Sequence, residues 1–397
     1  MEAASHHLTR VLSHGMNADA VISDWPALTS AEVTRILQHY PQAGLPKRLV
    51  WHSPRPFSAG CVMTTSTMEV FVKRHHVSVR DVDGLSEEHG FINHLRSRGI
   101  AVSEVLTASD GATAITDDHW TYEVHGVASG IDLYRDAVSW TPFSSRVHAH
   151  EAGKALARLH LAAEDYAAPA RKAQTLVSSF TIFSQQDPMP ALQGYVDQRP
   201  AIGDYLQRRN WREETADTLL PFHDRLRPYL DELTPLWTHN DWHASNLLWT
   251  DRSAAAGVET ILDFGLSDRT CALHDLATAI ERNIVEWLAI QEIQDAQAGQ
   301  RNVVHPDLLD AMLDGYHLIR PLGARQWLAL AALLPLVHTE FALAELAYFH
   351  GVTRSAKNAS LAYDTYYLGH AAWFNSAEGQ RLLEQIRQRA VSRRINP

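Results

Sequence analysis

Short apolar runs separated by polar turns dominate the first third of the chain. β-Branched and aromatic residues are concentrated in four runs that predict β-strands: Leu49–Trp51, Val62–Thr65, Val70–Arg74 and His119–Val124. A helix is predicted after the capping box Thr29–Glu32. A second helix is predicted from Glu88 onward, because Phe91, Ile92 and Leu95 then share one face. This part of the chain therefore predicts a small sheet accompanied by helices.

Beyond His148 the apolar positions recur every three to four residues, which is typical of helices. In the helix predicted to begin at Asp275, leucine and isoleucine recur on one face: Leu276, Ile280, Ile284 and Leu288. Further helices are predicted at 152–160, 307–318, 324–334, 339–350 and 377–391. The longest apolar stretch, Trp327–Val337, is shorter than a membrane span and contains Pro335, so it predicts a buried helix.

Composition narrows the class of protein. A chain of 397 residues, 45% apolar and 20% charged, is long enough for two lobes with a buried core. Its net charge of −11 disfavours nucleic-acid binding. The two cysteines, Cys61 and Cys271, are too few for a disulfide framework and fit a reducing compartment. The first residues lack a signal-peptide pattern. We therefore expect a cytoplasmic protein that binds neither nucleic acid nor membrane; no particular oligomeric state is indicated.

The candidate chemistry lies in a loop near residue 240. His239, Asp241 and Asn246 stand in the order His-x-Asp-x-x-x-x-Asn, and an Asp-Phe-Gly step follows at 263–265. Phosphoryl transfer at kinase-type sites uses this constellation. The first aspartate accepts or orients the proton of the attacking hydroxyl. The asparagine and the second aspartate, Asp263, offer hard oxygen ligands to Mg²⁺.

These motifs resemble those of the aminoglycoside phosphotransferase and choline kinase-like family of small-molecule kinases. That family usually carries His-Gly-Asp-x-His-x-x-Asn, and residues 239–246 read His-Asn-Asp-Trp-His-Ala-Ser-Asn, with Asn240 replacing the glycine. The Asp-Leu-Ala that heads the family's next helix stands at Asp275–Ala277. The arginine before the catalytic aspartate and the Ala-Pro-Glu step of ordinary protein kinases are missing from the sequence, which favours the small-molecule branch.

The resemblance implies an α+β, bilobal protein-kinase-like fold. A small antiparallel-sheet lobe would span residues 1–124, and a larger, mainly helical lobe residues 125–397. ATP and Mg²⁺ are the implied cofactors, and a hydroxyl of a small molecule is the implied acceptor. Asp241, His239 and Asn246 are the implied catalytic positions, and Asn246 and Asp263 the implied metal ligands. Asp275 is implied to brace the catalytic loop.

On the nucleotide side, Lys73 ends a predicted strand. A lysine there neutralises nucleotide phosphates when a carboxylate holds it in place. Glu88 has the family's spacing to the apolar residues and the glycine that follow it, so Glu88 is the predicted partner of Lys73.

Two backbone sites are also predicted around the nucleotide. The turn Phe57–Gly60, with Ser58 and Gly60, is interpreted as a phosphate-binding turn, although an ordinary hairpin turn explains it as well. In kinase-like folds the last strand of the small lobe leads into the hinge that binds adenine. The hinge is therefore predicted at Glu123, Val124 and His125.

Two other interpretations of the loop remain open. His239, Asp241 and His243 could ligate a metal in a hydrolase, but that would leave Asn246 and Asp263 without a role. A degenerate kinase fold could bind nucleotide or a partner without turnover. The intact pair of metal-binding residues argues against that reading, because a scaffold needs neither of them.

The acceptor itself is left open by the sequence. An aminoglycoside, sugar, nucleoside, amino alcohol or homoserine-like compound fits equally well. A polycationic acceptor would favour carboxylates in its pocket. The second half of the chain offers several: Asp268, Glu281, Glu286, Glu340 and Glu345. Because solvated helix faces commonly carry such residues, we predict that these acids lie on the surface.

Overall fold

The N-terminal part of the protein is built on one antiparallel sheet. The computed structural model describes residues 23–135, 137, 140–290 and 302–392. Five strands make up the sheet: β1 (Pro46–His52), β2 (Ala59–Thr65), β3 (Glu69–His76), β4 (Ala114–Asp117) and β5 (Trp120–Gly126). Their order is β1-β2-β3-β5-β4, with every neighbouring pair antiparallel. The predicted sheet is confirmed, and β4 is an additional strand.

Two helices accompany this sheet. Helix α1 (Ser30–Leu37) begins at the predicted capping box, in which Thr29 and Glu32 exchange hydrogen bonds. Helix α2 (Val82–Ser97) begins six residues before Glu88, because the side chain of Asp81 caps it by accepting from Gly84 N at 2.8 Å. Both helices turn their predicted apolar face to the core.

The remainder of the protein is mainly helical, as predicted. Its helices are α3 (Arg146–Ala163), α4 (Pro188–Asp197), α5 (Pro200–Leu206), α6 (Trp211–Thr218), α7 (Leu220–Leu226), α8 (Ala272–Ile284), α9 (Pro306–Ile319), α10 (Ala324–Leu333), α11 (Thr339–Gly351), α12 (Ala356–Ser360), α13 (His370–Trp373) and α14 (Ala377–Ser392). A π-helical segment, Leu361–Gly369, joins α12 to α13. A small sheet lobe and a helical lobe make the α+β, bilobal kinase-like fold.

Two short antiparallel pairs inside the helical lobe position the loops of interest. Strand β6 (Pro235–Thr238) pairs with β9 (Asp268–Cys271), and β7 (Leu247–Trp249) pairs with β8 (Val258–Ile261). Residues 239–246 run from β6 to β7, and residues 262–267 run from β8 to β9. The two loops therefore leave the same two strand pairs and lie side by side.

Helices α3 and α9 approach each other through a reciprocal pair of glycines. A Cβ atom on Gly153 would overlap the carbonyl oxygen of Met312, and one on Gly315 would overlap the carbonyl oxygen of His150. Because the obstacle is backbone in both cases, a side chain cannot rotate away to make room. The distance between the two helices is thus set by direct contact of their backbones.

The helical stretch Ala324–Gly351 is long and apolar enough to cross a membrane by length and composition alone. In the folded protein, 94% of its apolar window is buried against the rest of the chain. Pro335 lies in a 3-10 turn, Leu334–Leu336, that interrupts the regular helix. The predicted buried helix is confirmed, and it forms part of the core.

Candidate active site

The catalytic loop contains a tight turn at Asn240, whose φ is +61°. This left-handed conformation favours glycine, and asparagine tolerates it better than most residues. The buried Asn240 side chain is also used: its Oδ1 accepts from Thr238 Oγ1 at 2.9 Å and from Thr270 Oγ1 at 3.1 Å. Its Nδ2 donates to the carbonyl of Ser178 at 3.2 Å. Asn240 therefore accommodates the left-handed turn, and its side chain adds hydrogen bonds to β6 and β9.

Asp275 holds this turn from below. Its two carboxylate oxygens accept from His239 N and Asn240 N, each at 2.8 Å. His160 on α3 contacts Asp275 Oδ2 at 3.0 Å and the hydroxyl of Tyr316 on α9 at 2.8 Å. Burial raises the pKa of Asp275, but its hydrogen bonds outweigh burial and leave the pKa below its ordinary value. The bracing role predicted for Asp275 is confirmed.

His239 lies behind the loop instead of facing the cleft. Its side chain is fully buried, and Nδ1 accepts from Asp241 N at 3.2 Å while Nε2 lies 2.8 Å from the carbonyl oxygen of Leu262. These partners fix the tautomer, because Nδ1 must accept and Nε2–H must donate. With both nitrogens held by backbone, His239 ties the catalytic loop to the loop after β8. The prediction that it is a catalytic position is therefore corrected to a positioning role.

Asp241 lines the cleft. Oδ2 accepts from Asn246 Nδ2 at 3.1 Å and lies 3.5 Å from His243 Nε2. No residue in the described part of the chain donates a hydrogen bond to Oδ1, although Arg282 Nη2 lies 3.4 Å away. Burial raises the pKa of Asp241, but the neighbouring His243 and Arg282 outweigh it and hold the pKa well below its usual range. Asp241 is therefore ionised at neutral pH.

Asn246 and Asp263 offer oxygen atoms beside this carboxylate. Within the described residues, the Asn246 side chain makes its hydrogen bonds through Nδ2, which leaves its Oδ1 to bind a cation. Asp263 has a φ of +54°, and its Oδ1 accepts from Gly265 N at 3.3 Å and from Lys73 Nζ at 3.1 Å. One amide oxygen and one carboxylate suit Mg²⁺, which takes oxygen ligands and retains several waters.

Lys73 is held by different carboxylates from the one predicted. It contacts Asp263 at 3.1 Å and lies 4.0 Å from Glu123 Oε1. Glu88 pairs with Arg171 at 3.5 Å instead, and no ion pair within 4.0 Å joins it to Lys73 in the described chain. The register of the sheet explains the difference, because Glu123 on β5 lies directly opposite Lys73 on β3. The predicted Lys73–Glu88 pair is therefore corrected to Lys73–Glu123.

Glu123 is the centre of a buried group that we call the Glu123 cluster: Glu123, His75, His89 and His125. His75 Nε2 lies 2.8 Å from Oε1, and the Nε2 atoms of His89 and His125 lie 2.8 and 2.7 Å from Oε2. Burial raises the pKa of Glu123, but the histidines, His125 first, outweigh it and hold the pKa well below its ordinary value. The acid therefore remains charged behind Lys73.

The predicted hinge residues lie inside the sheet. Glu123, Val124 and His125 belong to β5, which ends at Gly126, and each pairs with a residue of β3. On the other edge, the carbonyl of Val124 accepts from Leu106 N, and Gly126 N donates to the carbonyl of Glu104, both at 2.9 Å. The backbone N–H and C=O groups of this part of β5 therefore already form hydrogen bonds on both edges of the strand. The connection between the lobes begins after Gly126, so Glu123, Val124 and His125 lie within the sheet and not in the connection itself.

The predicted phosphate turn is partly strand. Gly60 lies in β2 opposite Lys73, and Ser58 precedes the strand and lines the cleft. Phe57 packs on Tyr348 and Phe349 of α11, with ring centroids 5.4 and 6.0 Å apart. The turn therefore lies over Lys73 and contacts the helical lobe.

Three arginines of the described chain line the cleft, Arg55, Arg80 and Arg282, and the sequence predicted none of them. Arg55, from the β1–β2 turn, donates to Ser245 Oγ of the catalytic loop at 2.8 Å, and Arg282 on α8 pairs with Asp241. Arg282 follows Asp275 by seven residues, so two helical turns place both on one face of α8. That spacing could have identified Arg282. Nothing local marks Arg55, because its contact spans 190 positions of the sequence.

Comparison with known proteins agrees with this arrangement. The family model described as "Phosphotransferase enzyme family" matches residues 61–341. No curated protein matches the chain.

Three solved structures have a similar fold at low sequence identity. An aminoglycoside phosphotransferase from Alicyclobacillus acidocaldarius is 17% identical, with a TM-score of 0.50, over 93% of this chain and 98% of that one. A microcompartment-associated aminopropanol kinase is 18% identical, with a TM-score of 0.54, over 89% of this chain and 100% of that one. The amicoumacin kinase hAmiN, solved with AMP-PNP, Ca²⁺ and Ami, is 13% identical, with a TM-score of 0.53, over 92% of this chain and 94% of that one. With the family match covering most of its length, the chain belongs to the phosphotransferase enzyme family and is a kinase-type phosphotransferase.

Proposed function

We propose that the protein transfers the γ-phosphoryl group of ATP to a hydroxyl group of a small molecule. The observation that carries this proposal is the convergence of four side chains in one cleft between the lobes. Asp241, Asn246 and Asp263 come from the two adjoining loops of the helical lobe, and Lys73 reaches them from β3. These residues supply an orienting base, metal ligands and a phosphate-binding cation, which are the parts that phosphoryl transfer requires.

On the donor side, Lys73 would contact the nucleotide phosphates while Glu123 holds it from behind. Burial lowers the pKa of Lys73, but the neighbouring carboxylates, Asp263 first, outweigh burial and keep the lysine charged. Asn246 Oδ1 and the Asp263 carboxylate would hold Mg²⁺, which supplies charge neutralisation at the phosphates. Lys73 now occupies Asp263 Oδ1, so nucleotide binding would replace this contact with one from Lys73 to a phosphate.

On the acceptor side, Asp241 Oδ1 would accept the hydrogen bond of the reacting hydroxyl. Because the pKa of Asp241 lies well below its usual range, this carboxylate is a weak base that mainly orients the hydroxyl for in-line attack. Trp140, Phe341 and Glu345 line the cleft on this side. Aromatic walls with a carboxylate suit a small polar acceptor. The two free, buried cysteines are consistent with the proposed cytoplasmic location.

The test is ADP release by the purified protein with ATP and Mg²⁺, over a panel of hydroxyl compounds. The panel includes aminoglycosides, sugars, nucleosides, amino alcohols and homoserine. We expect one class to drive ADP release, and Asp241→Asn to reduce kcat by about 10²–10⁴-fold. In parallel, ATP with Mg²⁺ should raise the melting temperature of both proteins equally. Asp251→Asn removes the same charge from the β7–β8 turn and should behave as wild type.

Two outcomes would contradict the proposal. Near wild-type turnover by Asp241→Asn would show that this residue neither orients nor deprotonates the acceptor. A melting temperature that does not respond to ATP with Mg²⁺ would show that the cleft binds no nucleotide.

A further inference from the structure

A second group of buried titratable side chains lies behind the acceptor side of the cleft. We call it the Glu281 cluster: Glu281 on α8, His338 at the start of α11, Glu345 on α11 and His370 on α13. All are at most 7% exposed. The group adjoins the cleft through Arg282, whose Nε lies 3.6 Å from Glu281 Oε2 and whose Nη2 lies 3.4 Å from Asp241 Oδ1. Phosphoryl transfer, as proposed above, uses none of Glu281, His338 and His370, and Glu345 only lines the acceptor side of the cleft.

The polar atoms of this cluster converge without forming hydrogen bonds. Glu281 Oε1 lies 3.5 Å from His338 Nδ1 and 3.2 Å from His370 Nδ1. Despite these distances, several buried atoms have no hydrogen-bond partner among the described residues: both oxygens of Glu281, Nε2 of His338, Nδ1 of His370 and Oε2 of Glu345. A buried polar atom without a partner is rare in a folded protein and indicates a ligand, an ion or a water.

The spacing of these atoms fits a metal ion. One carboxylate oxygen and two imidazole nitrogens, from Glu281, His338 and His370, lie within 4.8 Å of one another. In a tetrahedral zinc site with bonds of about 2.0–2.1 Å, neighbouring ligand atoms are roughly 3.3–3.4 Å apart. The two contacts of Glu281 Oε1, at 3.2 and 3.5 Å, bracket that distance. Poor hydrogen-bond alignment at such distances is expected when lone pairs point to a common centre.

The surrounding residues also fit a metal site. His338 Nε2 faces Glu345 Oε2 at 3.8 Å, which is the carboxylate–histidine arrangement that commonly orients a metal-binding imidazole. The ring of Trp287 stacks on His370 with centroids 3.8 Å apart and fixes the orientation of that imidazole. The opposing charge is Arg282, which contacts the other oxygen of Glu281. The carboxylates of Glu281 and Asp241 both face the guanidinium of Arg282. A cation bound at Glu281 Oε1 therefore does not meet a net positive site.

The Glu123 cluster shows that histidines close to a glutamate are not by themselves evidence of a metal site. His89, Glu123 and His125 are also close enough to hold an ion. Their nitrogen–oxygen distances of 2.7 and 2.8 Å, however, are those of aligned hydrogen bonds, and these bonds already satisfy the carboxylate. A metal there would have to break them.

We propose that Glu281, His338 and His370 form a binding site for a first-row divalent metal ion, with Zn²⁺ the best match to two imidazoles and one carboxylate. The site is separate from the proposed Mg²⁺ site and does not depend on phosphoryl transfer. By joining α8, α11 and α13, the ion stabilises the helical lobe and fixes the part of α8 from which Arg282 reaches Asp241.

The test uses the full-length protein, stripped with a chelator and then titrated with Zn²⁺. We expect one Zn²⁺ per chain to remain bound after gel filtration, with a melting temperature that rises with Zn²⁺ concentration. Co²⁺, as a coloured substitute, should give the intense visible absorption of a tetrahedral site. Glu281→Gln and His370→Asn should each lose the bound ion and the rise in melting temperature.

Three matched variants exclude other sites. Glu123→Gln alters the other histidine and glutamate cluster, Asp263→Asn removes the proposed Mg²⁺ ligand, and His350→Asn removes a half-exposed histidine of α11 that pairs with Asp204. All three should retain one Zn²⁺ per chain. The proposal is overturned if wild-type protein binds no Zn²⁺ at micromolar concentration, or if Glu281→Gln and His370→Asn still bind it. Should both variants fail to fold, an octahedral Co²⁺ spectrum of the wild-type protein overturns the proposal, and a tetrahedral one supports it.

Discussion

Two buried glutamates, one on each side of the cleft, differ in how completely their neighbours satisfy them. Glu123 lies 4.0 Å behind Lys73 and contacts three histidines at 2.7–2.8 Å. Glu281 lies 3.6 Å behind Arg282 and faces two histidines at 3.2 and 3.5 Å without an aligned hydrogen bond. Each glutamate, with its histidines, lies against a positively charged side chain of the cleft, Lys73 or Arg282. Geometry alone separates a saturated network, which belongs to the fold, from an unsaturated one, which we propose to bind an ion.

The largest effect that this comparison predicts is that of Glu123→Gln. Because it removes the only carboxylate among three histidines, the substitution should lower the free energy of unfolding by about 3–5 kcal/mol. It should also raise KM for ATP, since Lys73 loses the carboxylate behind it. Urea unfolding and initial-rate kinetics measure the two effects. Glu88→Gln is the control, and it should change KM for ATP less because Glu88 pairs with Arg171. A larger effect of Glu88→Gln on KM for ATP would indicate that Glu88, the partner predicted from the sequence, positions Lys73.

An intermediate effect is expected from Glu281→Gln, and it depends on metal. In chelator-treated protein the substitution should cost less than Glu123→Gln does, because poorly aligned hydrogen bonds contribute little. With Zn²⁺ at roughly 100 times its dissociation constant, only the wild-type protein gains about 2.7 kcal/mol, so the difference widens. Urea unfolding with and without Zn²⁺ measures both values. A metal-free cost as large as that of Glu123→Gln would show that the two clusters do not differ as described.

The smallest effect is a pH dependence of the Glu123 contribution. The folded-state pKa of Glu123 lies below its ordinary value of 4.5, so its stabilisation is full above pH 4.5 and is lost as pH falls toward the folded pKa. The part of the difference in unfolding free energy between wild type and Glu123→Gln that comes from the charge of Glu123 should therefore be full above about pH 4.5. Below about pH 4.5 it should shrink by up to about 1.4 kcal/mol per pH unit. A difference that grows on acidification would contradict the charged state of Glu123.

Local patterns predicted the elements and the catalytic loop but not the partners across strands. The capping box of α1, the strands and the order of Asp241, Asn246 and Asp263 are properties of short stretches, and the structure contains them. The partner of Lys73 depends on which residue of β5 lies opposite it. Strands β3 and β5 are separated by α2 and β4 in the sequence, so no local pattern contains their register.

The acidic residues of the helical lobe show a second limit of predicting burial from the periodicity of apolar residues. The sequence pattern predicted Asp268, Glu281, Glu286, Glu340 and Glu345 on solvated faces; Glu286 is partly exposed, and the other four are buried. An apolar stripe identifies one buried face of a helix, but α8 is covered on its polar face as well. The reason is specific at Glu340, whose carboxylate accepts from Thr181 N and Ile182 N, each at 2.7 Å. Glu340 and Asp268 thus accept from the backbone of distant segments, and only the tertiary structure shows it.

The contact between α3 and α9 has a consequence for the catalytic loop two layers above it. Helix α3 carries His160 and α9 carries Tyr316, and together these residues support Asp275, which in turn fixes the backbone at Asn240. Gly153 and Gly315 bring the two helices to the closest approach that backbones allow. The positions of His160 and Tyr316 relative to Asp275 are therefore set by contact between main-chain atoms, which cannot be compressed. A methyl group added at Gly153 would push the helices apart and displace the support of the catalytic loop, although residue 153 makes no contact with it. The geometry of the active site thus depends on Gly153, a residue that does not line it.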